Sequence, residues 1–282
     1  MQQRASPLNA VPARNQRLSG HARLVFGAAG IRDLYQRAPC RFLFPVAAAG
    51  EFPLAVSLTT SGGLTGGDRV SLDIAVDPGA RGSVTTQAAE KLYRVLPEEP
   101  DIRVETRIAV GDGGRCEWLG QEAILFDGTR LRRRLEADLV GDGALLAVET
   151  LVLGRSAMGE TFSRGLVHDA WRIRRDGRLV WADGLHLGGD VAEIAARPFG
   201  LGGARAMATL VYAGPGAAGY LDLARELAPA PHGGASCLDG IVVLRWSMAD
   251  AQALREQVMA ATAALRAAAF GLAPRLPALW TC

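Results

Sequence analysis

The chain has 282 residues, 49% of them hydrophobic and 21% charged, a globular composition long enough for one large domain or two small ones. Its 31 cationic and 29 anionic side chains leave a net charge of +2, so no global field draws it to nucleic acid or to an acidic membrane. No window approaches the roughly 18 unbroken apolar residues of a membrane span. A single lysine, Lys91, stands among thirty arginines. GC-rich codon usage would account for that bias along with abundant Ala and Gly, and Lys91 is still a position to watch.

Residues 1–17 lack the apolar stretch of a secretory signal and are expected to form a mobile polar arm, with the cytoplasm as the default compartment. From about residue 20 to 213, short alternating or β-branched runs follow one another, at 22–26, 55–60, 70–76, 83–86, 102–110, 131–139, 145–153, 171–174, 179–182 and 207–212. Period two with turn residues between the runs predicts half-buried strands. The turns themselves repeat: Val76-Asp77-Pro78-Gly79-Ala80, Val110-Gly111-Asp112-Gly113-Gly114, Val140-Gly141-Asp142-Gly143-Ala144 and Arg175-Asp176-Gly177. They align at Pro78, Asp112, Asp142 and Asp176, in steps of 34, 30 and 34 residues. The expected fold is mainly β, either stacked β-layers in a β-helix-like body or an antiparallel protein with Asp-Gly turns every few strands.

The C-terminal quarter changes period. Tyr220, Leu223 and Leu227 fit a short helix stopped by Pro229, and Leu238 to Trp246 reads as a last strand. Met248, Ala251, Leu254, Val258, Ala261, Leu265 and Ala268 then step along a longer helix. Ser247 with Asp250 predicts a capping-box start, and Gly271 and Pro274 predict the end. This small helical part is expected at one end of the β body or projecting towards a partner.

Cys40, Cys116, Cys237 and Cys282 form no C-x-x-C pair, and His21, His168, His186 and His232 have no shared metal spacing. The Gly-dense loop Ser61 to Arg69 fails as a P-loop, because Asp68 stands where the lysine belongs. Gly154 to Glu160 has its second glycine one residue late for a nucleophile elbow at Ser156. Polar residues alternate with apolar ones in 85–94 and 117–128. On a pleated strand Glu117, Leu119 and Gln121 face one way, and Trp118, Gly120 and Glu122 the other. Either these are solvated sheet faces, or Gln87, Glu90, Glu117, Gln121, Glu122 and Glu149 line a wet internal groove. Paired acids such as Glu117 and Glu122 would also suit a β-helix enzyme acting on carbohydrate.

Taken in order, SGGLTGGDRV (61–70), TTQAAEKLYR (85–94), EWLGQEAILFDG (117–128), RLRRRLEADL (130–139), VETLVLGRSAMGE (148–160), WRIRRDGRLV (171–180) and RLPALWT (275–281) resemble the urease accessory protein UreD family, called UreH in some bacteria. The resemblance covers residues 20–282 and implies stacked β-layers with a small helical part, residues 18–282 forming one UreD-type domain. It implies a non-enzymatic factor that binds the urease apoenzyme and, through UreF, recruits the GTPase UreG for nickel insertion. It also implies no tightly bound cofactor, nickel only in transit, GTP held by UreG, and no nucleic-acid or membrane partner.

The family's motif residues fall on Gly66, Gly67, Asp68 and Arg69; on Thr85, Thr86, Gln87, Glu90, Lys91, Tyr93 and Arg94; on Gln121, Glu122, Phe126, Asp127 and Gly128; and on Gly154, Arg155, Gly159 and Glu160. Their polar members, with Glu117 and Glu149, are expected to shape a transient nickel route and a handover surface. A metal to be passed on needs weak oxygen-rich sites rather than a closed His/Cys cage.

Overall fold

The computed structural model describes residues 17–281; the predicted arm at 1–17 lies outside them except for Arg17. The strands in chain order are β1 (Ser19–Gly27), β2 (Gly30–Arg37), β3 (Cys40–Leu43), β4 (Leu54–Thr59), β5 (Arg69–Val76), β6 (Arg81–Thr86) and β7 (Glu90–Leu92). There follow β8 (Ile102–Val110), β9 (Arg115–Leu125), β10 (Arg130–Leu139), β11 (Ala144–Arg155), β12 (Glu160–Thr161), β13 (Arg164–Arg175) and β14 (Arg178–Asp190). After helix α1 (Val191–Ala196) come β15 (Ala206–Ala213), helix α2 (Leu221–Leu227), β16 (Gly233–Leu238), β17 (Ile241–Met248) and helix α3 (Ala251–Phe270).

The strands form two sheets. The first has the order β14-β13-β10-β8-β5-β1-β2, and the second contains β16-β17-β15-β11-β9-β6-β4-β3 with β7 and β12 beside it. From β4 to β13 the chain, apart from the short β7 and β12, alternates between them, so β5, β8, β10 and β13 run parallel in one sheet and β4, β6, β9 and β11 in the other. This is the coil of stacked layers that the turn repeat suggested. Its corners are the repeated turns, and their hydrogen bonds pass from layer to layer: Gly79 N donates to Asp112 O at 2.9 Å, and Val140 N to Val110 O at 3.0 Å. The Asp142 amide donates to Asp112 Oδ1 at 2.8 Å. The fourth turn differs. Asp176 and Gly177 both have positive φ, 51° and 78°, and close the antiparallel β13–β14 hairpin, the angles a two-residue type I′ turn requires.

The main core lies between the sheets. Leu24, Leu72, Ile74, Val84, Trp118, Leu135, Ala147 and Leu151 are all buried there. Close approach fixes one residue type: a Cβ on Gly82 would lie 2.3 Å from the Phe26 ring, so only glycine fits.

The helices do not sit at one end. Helix α3 lies across the outer face of the second sheet, and Leu254, Val258, Leu265 and Phe270 form a second core with Leu119, Val148, Leu210 and Trp246. Its N-cap is Asp250 rather than Ser247. The Asp250 carboxylate accepts from Gln252 N and Ala253 N, while Ser247 still belongs to β17. Gly271, at φ 68°, ends the helix as expected. No helix among the described residues is long and apolar enough to cross a membrane.

Candidate functional site

Strand alternation should keep the space between two sheets apolar, yet at one level it carries charge. On β10, Leu131, Arg133 and Leu135 point inward; on β13, Val167, Asp169 and Trp171 do; on β11, Ala147, Glu149 and Leu151 do. Arg133 and Asp169 are register partners across the first sheet. Opposite Glu149, β9 carries a bulge, since Val148 pairs with Leu119 but Thr150 with Glu122. The extra residue breaks the ladder and re-aims the side chains beyond it.

Arg133 and Glu149 stand in the walls of two neighbouring cavities. One, of about 360 Å³, is walled by Thr59, Gln87, Glu90, Gln121, Arg133 and Glu149 among others. The second, of about 500 Å³, is bounded by Asp169, Asp183, Thr209, His232 and Arg245, and it shares Arg133 and Glu149 with the first. The Arg133 guanidinium donates to Asp169 through Nε at 2.9 Å and Nη2 at 2.7 Å. Its Nε also lies 3.3 Å from Glu149 Oε2, though not in hydrogen-bonding alignment, which leaves that buried oxygen ion-paired but without a hydrogen bond. Trp118 Nε1 donates to Glu149 Oε1 at 3.3 Å.

Burial pushes the Glu149 carboxyl up to about 7 against the pull of Arg133, with Asp169 adding to the push. Burial likewise raises Glu90 to about 7, opposed by the Thr59 hydroxyl and by Arg133. For Arg133, burial works to lower the pKa, but Asp169 and Glu149 outweigh it and hold the guanidinium charged. Burial also raises the Cys40 thiol on the cavity wall, to about 11, with Glu90 adding to the rise, so it stays a thiol. Among the described residues, no three His, Cys, Asp or Glu are placed to hold a metal ion.

The acids singled out from the sequence divide between three places. Gln87, Glu90, Gln121, Glu122 and Glu149 all border the first cavity, beside Thr86 and Lys91. Glu122, however, is held from the other side of the sheet: Arg255 Nη1 of helix α3 lies 2.5 Å from both its oxygens. The bulge puts Glu122 on the same side as Glu117, against the simple alternation expected. Glu117 is fully buried beneath α3, where Arg266 Nε donates to it at 2.9 Å and the Ser83 hydroxyl binds its second oxygen. Two carboxylates locked to arginines under a helix cannot act as the acid and base of a glycosidase. Thr85 is also on this side, its hydroxyl accepting from Trp280 Nε1 at 3.0 Å. Gln121 bridges both sides, donating to Thr86 O and accepting from Arg255.

Asp68 lies away from the cavities. It accepts from Leu18 N and Thr65 N, both at 2.8 Å, and so ties the Gly66-Gly67 turn to the start of β1; Arg69 beside it is exposed. The other motif residues form a separate knot of loops. Tyr93 meets Phe126 edge to face at 4.9 Å, and the Arg155 guanidinium lies 3.9 Å from the Phe126 ring centre. Arg155 Nε pairs with Glu160 at 2.6 Å, while Asp127 accepts from Ser163 N and Arg164 N. Arg94 packs where a Cβ on Gly128 would lie, and Gly154 passes too close to Glu160 O for any side chain. Gly159 has φ 72° and ends the exposed turn that carries Ser156.

Arg133 and Asp169 escaped the sequence reading, although each stands on the apolar side of its strand, a signal that alternation alone supplies. What the fold and this site define is a two-sheet β-coil whose interior holds an arginine-balanced group of acids in the walls shared by two cavities, with no metal-holding group of His, Cys, Asp or Glu among the described residues. The UreD urease accessory protein family model matches residues 18–281. A protein named urease accessory protein UreD from Rhizobium leguminosarum bv. trifolii is 44% identical over 261 residues, covering 91% of this chain and 94% of its own. One from Granulibacter bethesdensis is 42% identical over 239 residues, 84% of this chain and 99% of its own. The chain belongs to the UreD urease accessory protein family.

Proposed function

We propose that this chain is a non-catalytic urease maturation factor that binds the urease apoenzyme and, with UreF and UreG in the cytoplasm, passes nickel towards the urease active site through the space between its sheets. The observation that carries the reading is the pair of neighbouring cavities that share Arg133 and Glu149 in their walls. Nickel is the cargo, and GTP remains with UreG.

The chemistry suits transit. Carboxylates must be deprotonated to hold a metal, and Glu90 and Glu149, both raised to about 7, share their sites with protons near neutral pH. Arg133 balances the charge of Glu149 while no ion is present and stays anchored by its two bonds to Asp169, so a dication competes for Glu149 without Asp169 being left bare. Oxygen donors of this kind release nickel more readily than an imidazole or thiolate cage would.

The test is genetic and biochemical. In cells carrying urease subunits and the remaining accessory genes, deletion of this chain should leave urease assembled but poor in nickel, and the wild-type gene should restore it. Full nickel-dependent activation without the chain would overturn the proposal.

A further inference from the structure

We propose that the solvent face of the first sheet carries an anion-binding strip that docks an acidic segment of a protein partner. The inference is independent of the nickel route. Strand register places Arg69, Arg103, Arg132, His168 and His186 side by side on five neighbouring strands. At about 4.8 Å per strand the row spans about 19 Å, the length of some six extended residues. The three arginines and His186 are exposed, and the two imidazoles are 5.8 Å apart.

The same sheet shows what a self-sufficient row looks like. Two rows further along, Arg23, Asp73, Arg107, Glu136 and Arg172 alternate in sign across the strands. Arg107 meets Asp73 at 3.5 Å there, and Arg172 meets Glu136 at 3.9 Å. Like charges directly opposite each other destabilise a sheet, and the row has them at Arg69, Arg103 and Arg132. Its one acid is Asp101, which Arg132 shares with Arg130 at 2.7 Å each. No acid among the described residues pairs with Arg69 or Arg103. The first sixteen residues contain no Asp or Glu and so supply none.

The occupant follows from shape and chemistry. An open sheet face lacks the concavity of a small-molecule site, and planar guanidinium forks match carboxylates two bonds at a time. The row holds no Phe, Tyr or Trp on which a base could stack, and the chain's net charge is only +2, so nucleic acid is the poorer fit.

A labelled decaglutamate peptide, titrated by fluorescence anisotropy at low salt against the full-length protein, tests this. R69Q/R103Q should weaken binding about tenfold, while R23Q/R172Q, in the alternating row, should change it by less than about twofold. Equal losses in the two double variants, or tighter binding of a short DNA duplex or tripolyphosphate than of the peptide, would overturn the proposal. Thermal unfolding gives a reading that needs no ligand. R103E, which inserts an acid between Arg69 and Arg132, should raise the midpoint by about 1–3 °C, and R107E should lower it by a similar amount. A lower midpoint for R103E would show that the row is already neutralised and sink the idea.

Discussion

Replacing Arg133 by methionine should lower the unfolding free energy by about 3–5 kcal/mol at neutral pH, as loss of one partner of a buried ion pair does. The size follows from what the guanidinium serves: Asp169 through two hydrogen bonds, Glu149 at 3.3 Å, and the nearby Glu90. Urea unfolding at several pH values checks both magnitude and mechanism. Glu90 and Glu149 have folded pKa values raised to about 7 from 4.5, so the folded protein binds more protons than the unfolded chain between those values. Their contribution is therefore most favourable below about pH 4.5 and is lost as pH rises through about 7. Without Arg133 that loss should deepen, so the variant's deficit should be greatest above pH 7 and shrink towards pH 5. A variant as stable as wild type at pH 8 would mean that water in the two cavities already solvates these acids.

Arg266→Met should be comparably costly, by about 3–5 kcal/mol, but for the helical layer rather than the space between the sheets. Arg266 is 2% exposed and holds Glu117 and Glu51 while donating to the carbonyls of Ala273 at 3.1 Å and Arg275 at 2.5 Å. Its removal strands a fully buried carboxylate and loosens the segment that carries Trp280. The double variant R266M/E117L removes both charges, so it should lose less than the sum of the single variants. Additive losses in a denaturant double-mutant cycle would contradict the pairing.

Much of the architecture was legible from local physics. The turns around Pro78, Asp112 and Asp142 mark corners of the coil because a parallel layer must reverse at the same height each time. The helix periodicity over 251–270 was equally plain. What alternation could not give was the destination of each face. Glu117 reads as a polar residue on a strand, and only the placement of α3 across the second sheet shows that Arg266 meets it there. Ser247 looked like a cap because Asp250 follows three residues later, yet β17 claims Ser247 and Asp250 itself caps the helix. The site was half visible: Glu90 and Glu149 were singled out as polar among apolar residues, whereas Arg133 was hidden in a run of arginines that alternate between core and solvent. A bulge on β9, not readable from Gly120-Gln121 alone, moved Glu122 to the helix side.

Passage of nickel between the sheets is tested most directly by the nickel content of urease matured at limiting nickel with the E90Q/E149Q variant. Both changes keep shape and leave Arg133 anchored on Asp169. The variant should co-purify with urease and its accessory proteins as wild type does, while the urease it matures carries much less nickel. Urease as nickel-rich as that matured by the wild-type chain, from an equally intact complex, would contradict the account.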